Sequence, residues 1–481
     1  MDAKKIRTRF APSPTGYLHV GGLRTALYAY LFAKKNGGDF LLRIEDTDQK
    51  RFVPGSVEKL QETLAWAGLN HDEETIFQSK RLDIYKKYAL ELVEKKLAYY
   101  CFCSSERLQE LRKKQTAEKQ PTRYDGHCWE NKLSQQEIEE KIKKGEKYVI
   151  RMKIPQGETI LVEDIVRGKV SFSSDGLDDQ ILLKSDGFAT YHLANVVDDH
   201  LMEISHVIRA EEWFPSLPKH ILLYRYLGWE PPQFAHLSLL LNADKSKLSK
   251  RQGDVAVEDY ISKGYLKEAI INFVALLGWN PGGGDNQETF SLEELVEKFD
   301  LKKVHKAGAI FDLRKLDWLN SQYIKKKSPE ELLLLAKKYL QEFCQKNNFV
   351  QNEDLFLKII TVEKERMKKL SDVTENADCY FSLPDYETKT LFWKEMKREE
   401  VQASLQKAQA ILENLNENFD LEEIKNIFLE AGGEKRGEFL WPVRVALTGK
   451  EKSPSPFEMA WALGKQESLK RIEIALGKIE E

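Results

Sequence analysis

A strand, a proline- and glycine-rich loop, a helix and a second strand follow one another within residues 6–44. The apolar residues of 6–11 predict a short buried strand, which ends at the loop of residues 12–22, PSPTGYLHVGG. Apolar side chains recur at helical spacing over 22–35, and residues 40–44 predict the next strand. This order of elements is typical of α/β folds that bind mononucleotides.

The loop of residues 12–22 has the composition of a phosphate-binding loop. Its glycines let backbone approach a ligand, and the helix beginning at Gly21-Gly22 directs free N–H groups and its positive dipole end at the loop. His19 precedes that helix, where its imidazole donates to a phosphate as charge builds up. The alternative is a turn with a surface histidine, which the strand–loop–helix context disfavours. We therefore predict that ATP contacts Pro12, Gly16, His19, Gly21 and Gly22.

A second segment, Lys247-Leu248-Ser249-Lys250-Arg251, lies in a polar loop after a strand predicted near residues 234–241. Two ammonium groups on such a loop neutralise the β- and γ-phosphates of ATP as pyrophosphate leaves. A solvated basic loop is the alternative. We predict that Lys247, Ser249 and Lys250 bind ATP, and that the catalytic residues are His19, Lys247 and Lys250.

The composition is that of an ordinary globular protein. A chain of 481 residues is too long to fold around a single hydrophobic core, so two to four domains are expected. Apolar residues make up 42%, yet the longest apolar runs are too short for a membrane span. No secretory h-region precedes the first strand, so a cytoplasmic location is expected. The net charge of −3 gives no global attraction to nucleic acid, although a local basic surface suffices for binding.

The rest of the chain divides into segments that differ in composition and in the spacing of their apolar residues. Residues 97–185 contain a cysteine cluster, a Lys/Glu/Gln-rich stretch and short alternating runs, which together indicate an inserted domain. The α/β pattern resumes over 190–241, and residues 256–320 are mainly helical. Beyond residue 328 nearly everything is typical of amphipathic helix. The fold class predicted is multidomain, α/β plus all-α.

Five segments also carry a family resemblance. The loop of 12–22 resembles the HIGH motif of class I aminoacyl-tRNA synthetases, and 247–251 resembles their KMSKS loop, with leucine in place of methionine. Residues 43–48 (RIEDTD), 191–200 (YHLANVVDDH) and 441–449 (WPVRVALTG) match the glutamate members. The chain is similar over nearly its whole length to the bacterial-type glutamyl-tRNA synthetase family.

The resemblance implies a Rossmann-type parallel-sheet catalytic core, an inserted α+β domain and a helical C-terminal region. The domains expected from it are a split catalytic domain in 1–84 and 185–240, an inserted tRNA acceptor-end-binding domain in 85–184, a KMSKS-loop and helical stem-contact domain in 241–326, and a helical anticodon-binding region in 327–481.

The activity implied by the resemblance has two steps. L-glutamate attacks the α-phosphate of ATP, accompanied by Mg²⁺, to give glutamyl-adenylate and pyrophosphate, and the 3′-terminal adenosine of tRNA(Glu) then accepts the glutamate. The sequence leaves open whether tRNA(Gln) is charged as well. A monomer is the family expectation.

Recognition of glutamate requires a cation for its side-chain carboxylate and an acid for its α-ammonium group. Arginine suits the carboxylate because its planar fork binds two oxygens at once. By resemblance, Arg209 contacts the γ-carboxylate and Glu45 the ammonium group. The alternative for Arg209 is an ion pair with Glu211 or Glu212. The glutamate pocket implied in this way consists of Arg9, Ser13, Glu45, Tyr191, Asn195 and Arg209.

Three of the five cysteines, Cys101, Cys103 and Cys128, are clustered. An odd number of cysteines in a cytosolic setting argues against disulfides, whereas thiolates are preferred zinc ligands and a closed structural site needs four donors. Some family members hold zinc with Cys-x-Cys, 24 residues and Cys-x-His, but Glu130 stands where that histidine would be. Free thiols are the alternative. The fourth ligand stays open between Tyr124, His127 and Glu130.

Two other functions compete with tRNA charging. A nucleotidyltransferase acting on a small metabolite shares the HxGH-type site, but it needs neither the inserted domain nor the helical tail. A catalytically inactive RNA-binding relative would not need His19, Lys247 and Lys250. In the tail, Arg436, Trp441 and Arg444 are candidates for contacts with unpaired bases, and core packing is the alternative for Trp441.

Overall fold

The computed structural model describes residues 5–130, 133–248, 255–284 and 286–480, apart from the side chain of Glu130. The chain forms two compact units. Unit 1 consists of residues 1–260 and 270–313, and unit 2 consists of residues 261–269 and 314–481.

Unit 1 is built around a mostly parallel sheet. Within the described part of the chain this sheet has seven strands in the order β3-β2-β1-β9-β10-β6-β7, and every neighbouring pair is parallel except the hairpin β6–β7. Its strands, in chain order, are β1 Arg7–Phe10, β2 Asp39–Ile44, β3 Ile76–Phe77, β6 Thr159–Asp164, β7 Gly168–Ser173, β9 His206–Ala210 and β10 Gln233–Leu237.

The inserted segment, residues 85–184, contributes strands to two different sheets. Its strands β4 Ala98–Cys101, β5 Val149–Met152 and β8 Ile181–Leu183 form a small antiparallel sheet of their own. Its hairpin β6–β7 instead extends the main sheet, because β6 pairs with β10. The domain boundaries given above stay predictions.

The strand predicted near 234–241 is shorter in the structure. It ends at Leu237, and β11 (Leu240–Leu241) pairs with β12 (Ala309–Ile310). The buried guanidinium of Arg24 donates to the carbonyl of Ser238. That carbonyl is therefore engaged by a side chain and not by a neighbouring strand.

The helices up to residue 300 alternate with the strands of the two sheets or follow them in the chain. The first one buries an apolar face that includes Leu23, Leu27 and Leu31 and ends where Asn36 caps it. These helices are α1 Val20–Lys35, α2 Ser56–Trp66, α3 Leu82–Glu94, α4 Ser105–Ala117, α5 His127–Glu130, α6 Gln135–Lys143, α7 Tyr191–Leu201, α8 Leu217–Leu227, α9 Val257–Ser262, α10 Lys267–Leu276 and α11 Leu292–Lys298.

Unit 2 is helical around a core of its own. The indole N–H of Trp441 donates to the carbonyl of Thr390 at 2.9 Å, and its ring packs 4.6 Å from that of Trp393, so this tryptophan is part of the packing. Arg436 is exposed. The helices are α12 Leu313–Lys326, α13 Pro329–Asn347, α14 Glu353–Glu363, α15 Asp378–Phe381, α16 Arg398–Asn414, α17 Leu421–Gly432, α18 Arg436–Thr448, α19 Pro456–Leu463 and α20 Lys465–Glu480.

The predicted fold class is confirmed by a mostly parallel sheet with helices and by a helical C-terminal region. Over the residues described, no helix combines the length and apolar character that a membrane crossing requires.

Candidate active site

A cavity of about 550 Å³ opens where β1, β2 and β9 end at their carboxyl termini. Parallel sheets bind ligands at this edge, where neighbouring strands connect in opposite directions. Every residue predicted to contact ATP or glutamate that the structure describes lines this cavity. The lining residues among those predictions are Arg9, Pro12, Ser13, Gly16, His19, Gly21, Gly22, Glu45, Tyr191, Asn195, Arg209 and Lys247.

His19 caps the helix α1. Its Nδ1 accepts from the backbone N–H of Gly21 at 2.9 Å, so the proton of the neutral ring is on Nε2. A Cβ added at Gly21 would lie 3.2 Å from that Nδ1, tighter than most such contacts, so glycine leaves room for the cap. Gly16 has a φ of 136°, which residues with side chains rarely adopt. The loop thus presents a helix N-terminus and one imidazole N–H donor.

Glu45 is a buried acid at the cavity wall. Its Oε1 accepts from Nη2 of Arg43 at 3.1 Å and from Nδ2 of Asn195 at 3.3 Å. Burial raises the pKa of Glu45, and Arg43 and Arg9 oppose that shift. Among the described residues both hydrogen bonds go to Oε1, which leaves Oε2 to a ligand ammonium group.

Arg9 lies at the end of β1, opposite Asp199 of α7. Nε and Nη2 of Arg9 donate to the two oxygens of Asp199 at 3.0 and 3.3 Å, and Nη1 of Arg43 donates to the same carboxylate at 2.7 Å. Burial favours a higher pKa for Asp199, but the two guanidinium groups lower it below its ordinary value. Asp199 therefore stays charged and holds both arginines, and over the part of the chain described here Nη1 of Arg9 remains for a ligand.

Arg209 is the penultimate residue of β9, and it is almost fully buried. Its Nε donates to Nε2 of His236 at 2.9 Å, and its Nη1 donates to the hydroxyl of Tyr191 at 3.0 Å and lies 3.3 Å from Nδ1 of His220. Its Nη2 makes only a long contact of 3.5 Å, with the carbonyl of Trp213, among the residues described. The guanidinium is therefore fixed by three groups while Nη2 keeps donor capacity for an anion.

The predicted alternative for Arg209, an ion pair with a neighbouring glutamate, is absent from the described contacts. Glu211 pairs with Arg167, and Glu212 accepts from Nζ of Lys247 at 2.9 Å. The second pairing also holds Lys247 at the cavity wall. Ser249 and Lys250 lie outside the described residues.

The three clustered cysteines converge in the inserted segment. Their sulfur atoms all lie within 4.8 Å of one another. The hydroxyl of Tyr124 lies 3.5 Å from the sulfur of Cys101 and 3.7 Å from that of Cys103, and it accepts the backbone N–H of Cys128 at 2.8 Å. No histidine or carboxylate of the described side chains joins the group at this distance. A hydrogen bond from Cys128 lowers the pKa of Cys101, which favours a thiolate there.

Comparison with known proteins decides the family. Residues 5–318 match the tRNA synthetases class I (E and Q), catalytic domain, and residues 331–476 match the anticodon binding domain. The chain belongs to the class I tRNA synthetases of the E and Q type.

Members of this class I family resemble the chain from end to end. The glutamate–tRNA ligase of Chloroherpeton thalassium is 46% identical over 100% of this chain and 99% of its own length. That of Alkaliphilus metalliredigens is 46% identical over 98% of each chain. The crystal structure of a glutamate tRNA ligase from Elizabethkingia meningosepticum in complex with its amino acid is 39% identical, with a TM-score of 0.87 over 98% of this chain and 99% of that one.

Some residues at or behind this cavity could not be identified as site residues from the sequence. Trp213 packs against Tyr191, with ring centroids 4.2 Å apart, and His236 and Asp164 lie behind Arg209. None of them belongs to a motif or stands at a spacing that points to the cavity. Trp213 follows β9 directly in the chain, whereas the order of the strands brings His236 and Asp164 there.

Proposed function

We propose that the chain is a glutamate–tRNA ligase that activates L-glutamate with ATP and transfers it to the 3′-terminal adenosine of tRNA(Glu). The observation that carries the proposal is the single cavity that combines three features. A helix N-terminus with His19 suits phosphate, Arg209 suits a side-chain carboxylate, and Glu45 suits an α-ammonium group. Homologues named glutamate–tRNA ligase over the whole length support the same conclusion.

Orientation of glutamate is the first task of the site. Nη2 of Arg209 binds the γ-carboxylate and Oε2 of Glu45 the ammonium group, which leaves the α-carboxylate directed at the phosphate loop. Because these groups are held by Tyr191, His236 and Arg43, they need little rearrangement on binding. Rate enhancement then comes from placing two reactants in one geometry.

Stabilisation of the reacting phosphate is the second task. The α-phosphate gains negative charge as the carboxylate attacks, and Nε2–H of His19 and the N–H groups of α1 donate to it. Lys247 and, by the resemblance of residues 247–251, Lys250 neutralise the departing pyrophosphate. No covalent enzyme intermediate is required.

Mg²⁺ enters with ATP. The acids that line the cavity, Glu45 and Glu212, already face Arg43 and Lys247, so the described lining offers no unpaired carboxylate for a protein-held ion. This fits an ion held by phosphates and water, which is the usual arrangement for magnesium with a nucleotide.

The tRNA is bound by the other parts of the chain. We assign the acceptor end to residues 85–184, the stem to 241–326 and the anticodon to 327–481. The match of 331–476 to an anticodon binding domain supports the last of these assignments.

Charging of purified tRNA tests the proposal directly. With ATP and Mg²⁺, tRNA(Glu) is expected to receive labelled glutamate, whereas glutamine serves as the matched control because it lacks the charge that Arg209 binds. tRNA(Gln) is assayed separately to define the range. Equal charging with glutamine, or exchange of pyrophosphate into ATP driven by another small acid, would contradict the proposal.

A structural zinc ion is part of the same proposal. Three converging sulfurs supply three of the four donors that a structural zinc site needs, and the phenol hydroxyl beside them is an oxygen donor for the fourth position. Cys101, Cys103 and Cys128 would hold the ion, with Tyr124 as the fourth ligand. The ion would tie β4 to the helices of the inserted segment.

Metal analysis is expected to find about one zinc per chain. Cys103→Ala should lose the metal, while Cys344→Ala, which changes a buried thiol of unit 2, should retain it. Tyr124→Phe should weaken zinc affinity by at least about 10-fold if its hydroxyl is a ligand. Zinc well below one per chain in the unaltered protein would refute the site.

A further inference from the structure

A buried carboxylate stands behind the arginine of the cavity, in a segment far from it in sequence. Asp164 ends β6 and is 1% exposed. Its Oδ1 accepts the backbone N–H groups of Val166 and Arg167 at 3.0 and 2.8 Å. Its Oδ2 lies 3.2 Å from the backbone N of His236 and 2.6 Å from Nδ1 of the same residue. The carboxylate therefore accepts from donors on every side.

This arrangement determines which nitrogen of His236 carries the proton. A carboxylate accepts only, so Nδ1 must be the protonated nitrogen. The other nitrogen, Nε2, then has a lone pair, and it accepts from Nε of Arg209 at 2.9 Å. Burial lowers the pKa of His236 to about 4, with Arg209 adding to that effect and Asp164 opposing it. The imidazole is therefore neutral at pH 7.

The three residues lie on adjacent strands of the main sheet. His236 of β10 is the direct partner of Arg209 of β9, and Asp164 of β6 pairs with Phe234 of β10. Their spacing is thus set by backbone ladders rather than by loops, and each side chain is almost fully buried. Such rigid support keeps the guanidinium of Arg209 in the position and orientation that substrate recognition requires.

We propose that Asp164 and His236 are positioning residues for substrate selection: Asp164 selects the His236 tautomer that accepts from Arg209, and so aims the guanidinium at the side-chain carboxylate of the substrate. The inference rests on the proposed role of Arg209 in glutamate binding. It makes the inserted segment, through β6, a contributor to amino-acid recognition.

Asp164→Asn tests the tautomer. The two N–H groups of residues 166 and 167 hold the amide oxygen, so the amide NH₂ faces His236, where it meets the backbone N–H and also requires Nδ1 to accept. The ring proton of His236 then lies on Nε2. Because Nε2–H and the Nε–H of Arg209 are both donors, the hydrogen bond that holds the guanidinium is lost. KM for glutamate should rise about 10- to 100-fold, while KM for ATP and for tRNA stay within about 2-fold.

Two further variants separate positioning from folding. His236→Gln places an amide acceptor near the position of Nε2, so it should raise KM for glutamate less than Asp164→Asn does, and Asp164→Asn should raise KM little further when the two are combined. Asp179→Asn is the matched control, since Asp179 accepts from Tyr99 and Ile154 away from the cavity. It should lower stability without raising KM for glutamate.

The outcomes are distinct. An unchanged KM for glutamate in Arg209→Ala would remove Arg209 from the pocket and with it the basis of the inference. A large effect of Arg209→Ala beside none of Asp164→Asn would overturn the positioning role alone. If Asp164→Asn does not fold, the ¹⁵N chemical shifts of His236 in the unaltered protein decide, because a proton on Nε2 contradicts the proposal.

Discussion

Arg209→Ala is expected to raise KM for glutamate about 100- to 1,000-fold, because the variant leaves the γ-carboxylate in a buried pocket without its cation. Nη2 is the guanidinium nitrogen with remaining donor capacity, and Tyr191 and His236 hold the rest of the group. The effect should appear in KM for glutamate and leave KM for ATP nearly unchanged. Tritiated glutamate charging at saturating ATP and tRNA measures it.

Arg209→Lys is the matched control for charge alone. A lysine keeps the positive charge but has neither the planar fork nor an Nε to donate to His236, so it should recover only a minor part of the affinity. Full recovery by lysine would show that charge, and not the fixed fork, binds the substrate. A thermal melt of both variants separates binding from unfolding.

The second large effect is expected for His19→Asn. Asparagine is a good N-cap, so its side-chain oxygen replaces Nδ1 in accepting from Gly21, and helix α1 keeps its cap. The donor at Nε2 is lost. The rate of adenylate formation should fall about 100- to 1,000-fold, as for removal of one donor to a developing negative charge, while the melting temperature stays near that of the unaltered protein.

His19→Ala completes the comparison. It removes cap and donor together, so it should lose the same catalytic factor and also about 1 kcal/mol of stability. Exchange of labelled pyrophosphate into ATP, measured with tRNA(Glu) present, reports the chemical step. Exchange at the unaltered rate in His19→Asn would remove the imidazole from the reaction.

The parts of the site that are formed by residues close together in the sequence could be predicted from the sequence. The loop before α1 and the strand before it are continuous in the chain, so spacing and glycine content were enough to predict a phosphate site at His19. The same holds for the helical C-terminal region, where the apolar period is evident in each segment.

The rest depends on which strands become neighbours. Asp164 and His236 are far apart in the chain, and they meet only because β6 joins the sheet beside β10. The short alternating runs within residues 97–185 indicate an inserted domain but do not say which sheet each strand joins. The pairing of Arg9 with Asp199 likewise needs β1 and α7 to be packed together. Long-range pairings of this kind leave no local signal.

The strand order also determines when the nascent chain can become stable. Strand β1 lies between β2 and β9, so one of its edges pairs early and the other must wait for residues 206–210. His206 follows Ile44 by 162 positions, which corresponds to roughly 10 to 30 s of synthesis. During that interval the first mononucleotide half presents an open strand edge, the structure most prone to wrong pairing. An open edge of β1 is therefore exposed to wrong pairing during synthesis until β9 emerges.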